Sequence, residues 1–299
     1  MNPKQKTEPV SQSDLDQWIQ WALIASRKAA SIQRDFFHNP IIEADSKADG
    51  SPVTLADTQS EEIIREELRL QGSEFGLYGE EYGQEGELED CWVIDPIDGT
   101  RNFVDGLPGF AILIGLRISG SPLLGVVHAP ALGAMAGDPE LMGWTWIGIA
   151  DRGAWRGYGT HPQTAQKDAI RVRDCKALSD TFLCHGGLRH IHESGKWDSW
   201  SKLTSSVRRT RGFGDWWGHS LVAEGAADAM YDPRVELHDT VAVEALVRGA
   251  GGVLLAREKV TRNYIGPTVS GNSEIAESIG RCMEGTGMVP ASNAEWNRD

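Results

Sequence analysis

A short segment of the chain places side chains that can bind a metal ion or a phosphate directly after a hydrophobic run. It reads Trp92-Val93-Ile94-Asp95-Pro96-Ile97-Asp98-Gly99-Thr100. Val93 and Ile94 favour a β-strand. Pro96 cannot continue a hydrogen-bonded ladder, so we expect the strand to end at Asp95. Mg²⁺ is usually held by a few carboxylates, waters and a substrate phosphate. Asp95 and Asp98 fit this requirement, although an Asp-x-x-Asp-Gly turn on its own is more often a solvated turn.

The residues after this turn predict a short helix whose first amides could bind an anion. Residues 100–104 can form the helix, and Gly106 and Pro108 would end it. Amides at a helix N-terminus have no partner within the helix and attract phosphate groups, so Gly99 and Thr100 are predicted to bind phosphate. A phosphate group next to a metal ion is therefore the expected ligand.

Three further motifs accompany this segment. They are Thr54-Leu55-Ala56-Asp57, Gly79-Glu80-Glu81 and Glu236-Leu237-His238-Asp239. The four motifs, in this order, resemble the inositol monophosphatase family of metal-dependent, lithium-sensitive phosphatases. The resemblance covers roughly residues 15 to 280, and the combination is far more specific than any single motif. His238 is a departure, because the family's motif usually has Trp before the Asp.

The resemblance implies a set of metal ligands. One Mg²⁺ would be held by Glu80, Asp95 and the carbonyl of Ile97, and a second by Asp95, Asp98 and Asp239. Two or three Mg²⁺ ions per active site are expected. Two metal ions about 3.5 to 4 Å apart can stabilise both the attacking and the leaving oxygen of an in-line displacement.

The resemblance also implies that Thr100 and Asp57 orient and deprotonate the attacking water, with Glu80 in the same catalytic set. Two simpler roles remain open. Asp57 is also an acid in the first turn of a predicted helix, where the helix dipole favours it. Asp239 precedes an apolar helix and could be its N-cap.

Substrate choice depends on the segment Gly212-Phe213-Gly214-Asp215-Trp216-Trp217. Inositol phosphatases usually carry Gly-Thr/Ser-Ala-Ala there, whereas Gly-Asp resembles the histidinol-phosphate phosphatase branch. Asp215 would pair with a cationic amine or imidazolium. Arg101 also resembles that branch, but Asn102-Phe103 resembles the inositol branch. The predicted substrate-binding residues are Asp98, Arg101, Gly214, Asp215 and Asp232. Trp216 could either stack on the substrate or pack in the core.

The function predicted from these motifs is hydrolysis of a small-molecule phosphate ester by metal-activated water, with histidinol phosphate as the first choice. The alternative is an inositol monophosphatase, or a phosphatase of another small sugar or nucleotide 3′-phosphate. A more remote alternative is a non-catalytic, metal-binding regulator, which the complete acidic set disfavours. His185, His190 and His192 lack the spacing of a zinc motif and are predicted to be exposed loop residues.

Composition and charge exclude several classes of protein. A net charge of −14 argues against nucleic-acid binding, which needs clustered Lys and Arg. The basic run 208–211 is predicted to be a charged edge strand, although an arginine reaching a phosphate from a neighbouring subunit stays open. Neither a membrane span nor a secretory signal is found, so a cytoplasmic protein is expected. We also expect a homodimer.

The pattern of predicted elements indicates a layered α/β (α+β) fold. Strand patterns over 110–116 and 122–128 predict a hairpin, and the second half alternates between strands and helices. The resemblance adds a five-layered αβαβα sandwich. We expect an N-terminal half over 15–165 that carries most metal ligands. A C-terminal half over 166–285 would carry Asp239 and the specificity segment, and the tails 1–14 and 286–299 would be disordered.

Overall fold

Two large β-sheets alternate with three layers of helices in the computed structural model of this chain. The structure describes residues 10–37, 44–46, 52–133, 141–257, 259–260, 264–285, 288–291 and 295–296. The predicted disordered tails lie mostly outside these residues. Within 1–14, helix α1 already begins at Gln12, earlier than the predicted start at Leu15. Within 286–299, residues 288–290 and 295–296 form paired β-strands, so the prediction of disorder is wrong for these residues.

The first half contains a two-stranded sheet and an eight-stranded sheet. Strands β1 (Ala44–Ser46) and β2 (Pro52–Thr54) form the small antiparallel pair. The large sheet contains β3 (Gly76–Gly79), β4 (Gly83–Glu85), β5 (Cys91–Asp98), β6 (Ala111–Ile118), β7 (Ser121–Ala129), β8 (Trp144–Ile149), β9 (Gly153–Tyr158) and β10 (Asp168–Ala169). Its strand order is β10-β9-β8-β7-β6-β5-β3-β4, and only β3 and β5 pair in parallel. The pairing of β6 with β7 confirms the predicted hairpin.

The second half builds a six-stranded sheet. The described strands of this half are β11 (Phe182–His185), β12 (Arg209–Arg211), β13 (Ala229–Glu236), β14 (Val253–Arg257), β15 (Lys259–Val260), β16 (Tyr264–Gly271), β17 (Met288–Pro290) and β18 (Glu295–Trp296). The sheet order is β12-β11-β13-β16-β14-β17, and β15 pairs with β18 apart from it. Strand β12 is at one edge, which confirms the charged edge strand predicted for 208–211.

The helices fill three layers. Those described are α1 (Gln12–Phe37), α2 (Leu55–Leu70), α3 (Thr100–Val104), α4 (Pro162–Ala165), α5 (Leu188–Glu193), α6 (Trp197–Ser206), α7 (Asp215–Ala223), α8 (Leu237–Gly249) and α9 (Ser273–Glu284). Helices α1 and α2 cover the outer face of the eight-stranded sheet, and α7 and α8 lie between the sheets. Helices α5, α6 and α9 cover the other face of the six-stranded sheet. The predicted five-layered αβαβα sandwich is confirmed. Within the described residues, no helix is long and apolar enough to cross a bilayer.

Strand β5 extends further than the sequence predicts. It continues past Pro96 to Asp98, and its pairing with β6 is irregular between Asp95 and Asp98. The prediction that the strand ends at Asp95 is therefore wrong. Proline is tolerated at a β-bulge because no ladder hydrogen bond is required there. The bulge matters for the site, because it changes the direction of the side chains on either side of it.

Helix α8 lies close to the eight-stranded sheet because a row of glycines faces it. Gly115 of β6 pairs with Gly125 of β7, which pairs with Gly148 of β8. A Cβ atom at Gly125 would lie 2.1 Å from the carbonyl oxygen of Ala242, and one at Gly148 would lie 2.2 Å from the Cα atom of Leu246. The absence of side chains at these positions therefore sets the distance between the helix and the sheet.

Replacing Gly125 by Ala should push α8 away from the sheet. The new methyl group would meet backbone atoms, which cannot move aside as a flexible side chain can, so we expect a loss of at least about 2 kcal/mol in the free energy of unfolding. Urea denaturation would measure it. The control is Ser121→Ala on the same strand, which should cost less than about 0.5 kcal/mol. A Gly125→Ala protein as stable as the parent would contradict the close packing.

Candidate active site

The bulge in β5 carries two buried carboxylates. Asp95 is 2% exposed and Asp98 is 8% exposed. The amide of Ile97 donates to Oδ1 of Asp95 at 3.0 Å, and the side chain of buried Gln33 donates to the carbonyl of Pro96 at 2.8 Å. The conformation of the bulge is thus stabilised by a contact within β5 and by a contact from helix α1. It keeps the two carboxylates near each other, as a shared metal site requires.

Asp239 joins these two carboxylates from the layer between the sheets. It is the third residue of α8, and its Oδ2 accepts a hydrogen bond of 2.7 Å from the amide of Glu236, the N-cap. The N-cap role that stayed open for Asp239 does not apply, because α8 begins two residues earlier, at Leu237. One ligand atom each from Asp95, Asp98 and Asp239 lies within 4.8 Å of the others.

A second group of possible ligands contains Glu80, Asp95 and His238, again with all three ligand atoms within 4.8 Å of one another. Glu80 directly follows β3, and its amide donates to the carbonyl of Ile94 at 3.2 Å. The turn after Glu80 is held by buried Glu61, which accepts from the amides of Glu81 at 2.6 Å and Tyr82 at 3.2 Å. These contacts fix Glu80 beside the end of β5.

Asp57 and Thr100 meet next to this acidic group. Asp57 is fully buried, and its Oδ2 accepts from the amide and the hydroxyl of Thr54, both at 2.7 Å. Its Oδ1 lies 3.2 Å from the hydroxyl of Thr100, which is also 3.0 Å from the carbonyl oxygen of Ile97. Asp57 lies in the first turn of α2, as predicted, and its position in a capping box does not prevent contact with Thr100.

The acidic groups open into a cleft of about 690 Å³, which Gly99, Arg101 and Gly214 help to line. Asp215 and Asp232 line the same cleft and belong to neither group of possible metal ligands. The amides of Asp215 and Arg234 donate to Asp232, the latter at 3.3 Å. Asp98 accepts from the amide of Trp216 at 2.9 Å, which ties the start of α7 to β5. Of the sequence-predicted site residues, eight line this cleft: Glu80, Gly99, Thr100, Arg101, Gly214, Asp215, Asp232 and Asp239. The other four, Asp57, Asp95, Ile97 and Asp98, lie behind its wall, next to Thr100 and Asp239.

Asp215 has a backbone conformation that few residues with side chains adopt. Its φ is +55°, in the left-handed region. Such strain persists where surrounding contacts enforce it, and here the amides of Asp215 and Trp216 donate to Asp232 and Asp98. The strained start of α7 therefore connects the carboxylates of two different layers.

The two tryptophans that follow have different environments. Trp216 is 1% exposed, and its ring centroid lies 5.5 Å from that of Trp146. Of the two roles left open for Trp216, the structure supports core packing. Trp217, rather than Trp216, lines the cleft.

The prediction that the histidines are exposed loop residues needs correction. His185 is buried at the end of β11, whereas partly buried His190 and exposed His192 lie on α5 rather than in a loop. The reason is that residues 188–193 form a helix. His238 was noted only as a departure from a motif, although it lies in one of the two possible ligand groups. Its position next to Asp239 was the signal that could have placed it there.

Comparison with known proteins agrees with this geometry. Residues 14–285 match the inositol monophosphatase family. The chain belongs to this family. It is 31% identical to a histidinol-phosphatase of Streptomyces coelicolor over 87% of this chain and 94% of the relative. It is 30% identical to an inositol-1-monophosphatase of Rhizobium meliloti, over 83% and 89%. An inositol monophosphatase from Zymomonas mobilis superposes with a TM-score of 0.72 at 28% identity, covering 92% of this chain and 100% of the other.

As a member of the inositol monophosphatase family, the chain is a phosphoric monoester hydrolase. The family is generally metal-dependent, and the electrostatics of the site fit a bound cation. Burial, reinforced by nearby Asp215 and Asp239, raises the pKa of Asp98 well above its usual range. Burial likewise raises the pKa of Asp239, although His238 opposes the shift. A raised pKa means that too little positive charge surrounds these carboxylates to stabilise their ionised forms. A bound divalent cation would supply that charge and stabilise them as anions.

Divalent cations should therefore stabilise the folded protein. At a concentration about 100 times the dissociation constant, a cation that binds only the folded state adds about 2.7 kcal/mol, or about 4 °C in Tm for a chain of this size. Differential scanning fluorimetry with MgCl₂, and with KCl at equal ionic strength as the control, would measure the shift. Asp95→Asn removes a carboxylate common to both ligand groups and should abolish most of it. An unchanged shift in that variant would place the cation elsewhere.

Proposed function

We propose that this chain is a Mg²⁺-dependent phosphatase that hydrolyses histidinol phosphate. The observation that carries the substrate assignment is the pair Asp215 and Asp232, one exposed and one buried acid that line the cleft outside the possible metal-ligand groups. A phosphatase of neutral polyols gains nothing from extra negative charge beside an anionic substrate. A substrate whose leaving group is cationic gains a charge-assisted contact.

The proposed metal site uses residues from two layers of the fold, the eight-stranded sheet and helix α8. Glu80, Asp95 and the carbonyl of Ile97 would hold one Mg²⁺, and Asp95, Asp98 and Asp239 the other. When bound, the two ions supply Lewis-acid stabilisation of the phosphate oxygens and lower the pKa of a bound water. The described residues supply mainly oxygen ligands from a partly open cleft, which is the environment that Mg²⁺ usually occupies.

Asp57 and Thr100 are proposed to position and deprotonate the attacking water. Asp57 already accepts two hydrogen bonds on Oδ2, so its orientation is fixed, and its Oδ1 is directed to Thr100. If the carbonyl of Ile97 binds a cation, the Thr100 hydroxyl donates to Asp57 instead. The hydroxyl oxygen can then accept a hydrogen bond from the attacking water. As the water loses its proton to this oxygen, the hydroxyl passes its own proton to the Asp57 carboxylate, so one proton leaves the water and one reaches Asp57. The amides of Gly99 and Thr100 are proposed to contact the phosphate group.

Asp215 and Asp232 are proposed to bind the ammonium or imidazolium of the substrate. Burial and the nearby Asp239 raise the pKa of Asp215 to about 6, although Arg101 opposes the shift. Burial, followed by the charge of Asp215, raises the pKa of Asp232. The surroundings of both carboxylates therefore contain too little positive charge to stabilise their ionised forms. A cationic leaving group would supply that charge. Arg101 lines the same cleft and stays a proposed substrate contact.

The runner-up substrate is inositol 1-phosphate. The sequence feature that favoured this substrate, Asn102, has a structural role. Its side-chain amide donates a hydrogen bond of 2.8 Å to the carbonyl of Gly109. Asn102 therefore closes the loop after α3 and says little about the leaving group. Overall identity does not separate the alternatives either, because it is 31% to the histidinol-phosphatase and 30% to the inositol-1-monophosphatase. The cytoplasmic location and the homodimer stay predictions.

Replacing Thr100 by Ala should lower kcat by about 100-fold while changing the affinity for Mg²⁺ little, because its proposed task is to orient water. Steady-state kinetics would give kcat, and isothermal titration calorimetry would give the affinity. The conservative Thr100→Ser variant keeps the hydroxyl and should recover most of the activity. A large loss of Mg²⁺ affinity with unchanged kcat would contradict the assignment.

Replacing Asp215 by Asn tests the substrate. The change should reduce kcat/KM for histidinol phosphate by about 10- to 100-fold, equivalent to loss of a hydrogen bond to a charged group of about 1.5 to 3 kcal/mol. It should affect inositol 1-phosphate far less. Phosphate release from both esters would be measured for the parent and the variant. Asp105→Asn, at an exposed residue that follows α3, is the matched control and should change neither. A parent enzyme that prefers the inositol ester, with no effect of Asp215→Asn, would establish the runner-up.

A further inference from the structure

An imidazole is placed among the carboxylates that the proposed function uses for metal. His238 is the second residue of α8 and only 8% exposed. Its Nε2 lies 3.3 Å from Oδ1 of Asp239 and 3.9 Å from Oε1 of Glu80. One ligand atom from His238, one from Glu80 and one from Asp95 are all within 4.8 Å of one another. These separations allow the three atoms to bind one ion with little movement.

The surrounding structure keeps the imidazole in this place. The Glu236–Asp239 capping box fixes the first turn of α8, and the glycine row of β6, β7 and β8 fixes the helix against the sheet. His238 is therefore positioned by the same constraints that position Asp239. An imidazole that is nearly buried and directed at two carboxylates is arranged like a ligand rather than like a solvated surface histidine.

A nitrogen donor changes which metal ion a site prefers. Mg²⁺ favours oxygen ligands and keeps much of its water shell. Imidazole suits Zn²⁺ and other first-row transition ions, whose affinity for mixed nitrogen and oxygen sites rises from Mn²⁺ towards the end of the series. The site formed by Glu80, Asp95 and the Ile97 carbonyl would contain only oxygen donors without His238. With it, the site has one nitrogen donor.

We propose that His238 is a nitrogen ligand of the ion held by Glu80 and Asp95, and that it gives this site a higher affinity for transition metals such as Mn²⁺, Co²⁺ or Zn²⁺ than an all-oxygen site has, while Mg²⁺ still binds there. The proposal rests on the metal-dependent function proposed above. The second group, Asp95, Asp98 and Asp239, keeps an all-oxygen donor set. The two metal sites of one cleft therefore differ in the ions that they prefer.

The direct test is pulsed electron paramagnetic resonance of the protein loaded with Mn²⁺. Coordination by His238 predicts a ¹⁴N signal from an imidazole bound to Mn²⁺ in the parent protein, and its loss in His238→Phe and His238→Asn. Two variants are used because one substitution at a nearly buried position could unfold the protein. His190→Asn is the matched control, because His190 lines the same cleft and belongs to neither described ligand group. It should keep the signal.

Metal titrations complete the test. Calorimetry should show that His238→Asn weakens Co²⁺ or Zn²⁺ binding by at least about tenfold at one of two sites, while Mg²⁺ binding changes by less than about threefold. A ¹⁴N signal absent from the parent, or equal losses for all ions, would overturn the proposal and leave His238 as an ion-pair partner of Glu80 and Asp239. A parent protein that binds no divalent ion at all would instead overturn the metal-dependent function itself, so the two failures are distinguishable.

Discussion

The mutual repulsion of carboxylates buried around one cleft is the constraint on which the rest of this structure depends. Burial alone raises the pKa of such groups, and their closeness raises it further. For five of these carboxylates the fold supplies a hydrogen bond from a backbone amide. The pairs, amide first, are Thr54 with Asp57, Ile97 with Asp95, Trp216 with Asp98, Asp215 and Arg234 with Asp232, and Glu236 with Asp239. An amide orients a carboxylate without cancelling its charge, so the attraction for a cation is kept.

These amides come from irregular positions of the backbone, which explains the architecture around the site. Asp57 and Asp239 each occupy the third position of a helix and accept from the N-cap residue, so the same geometry is used twice. Asp95 uses a bulge, and Asp98 uses the strained start of α7. The glycine row then lets α8 reach the end of β5. The close packing of α8 against the eight-stranded sheet is thus required to place Asp239 at the site as well as to form the core.

The sequence was sufficient for the layers and for the acidic residues that gather at the cleft, because strands, helices and acidic motifs are local patterns. It was insufficient where geometry depends on partners distant in the chain. The bulge that carries β5 past Pro96 needs the pairing with β6, which local propensity does not reveal. Which of Trp216 and Trp217 faces the cleft depends on the rotation of α7 against Trp146. His238 looked like an exception to a motif, since only the folded chain brings Glu80 near it.

The distribution of charge in the cleft also explains how specificity could arise without a tight fit to the substrate. The proposed metal ligands form two groups that share Asp95, and Asp215 and Asp232 add two more acids to the same cleft outside both groups. A phosphate ester with a cationic leaving group satisfies both, because each end meets the opposite charge. A neutral leaving group would leave Asp215 and Asp232 without a cationic partner, which is unfavourable because other acids lie close to both carboxylates. Discrimination between substrates would then come mainly from the free-energy penalty for binding a neutral analogue. Such a penalty separates two substrates more strongly than one extra favourable contact with the correct substrate does.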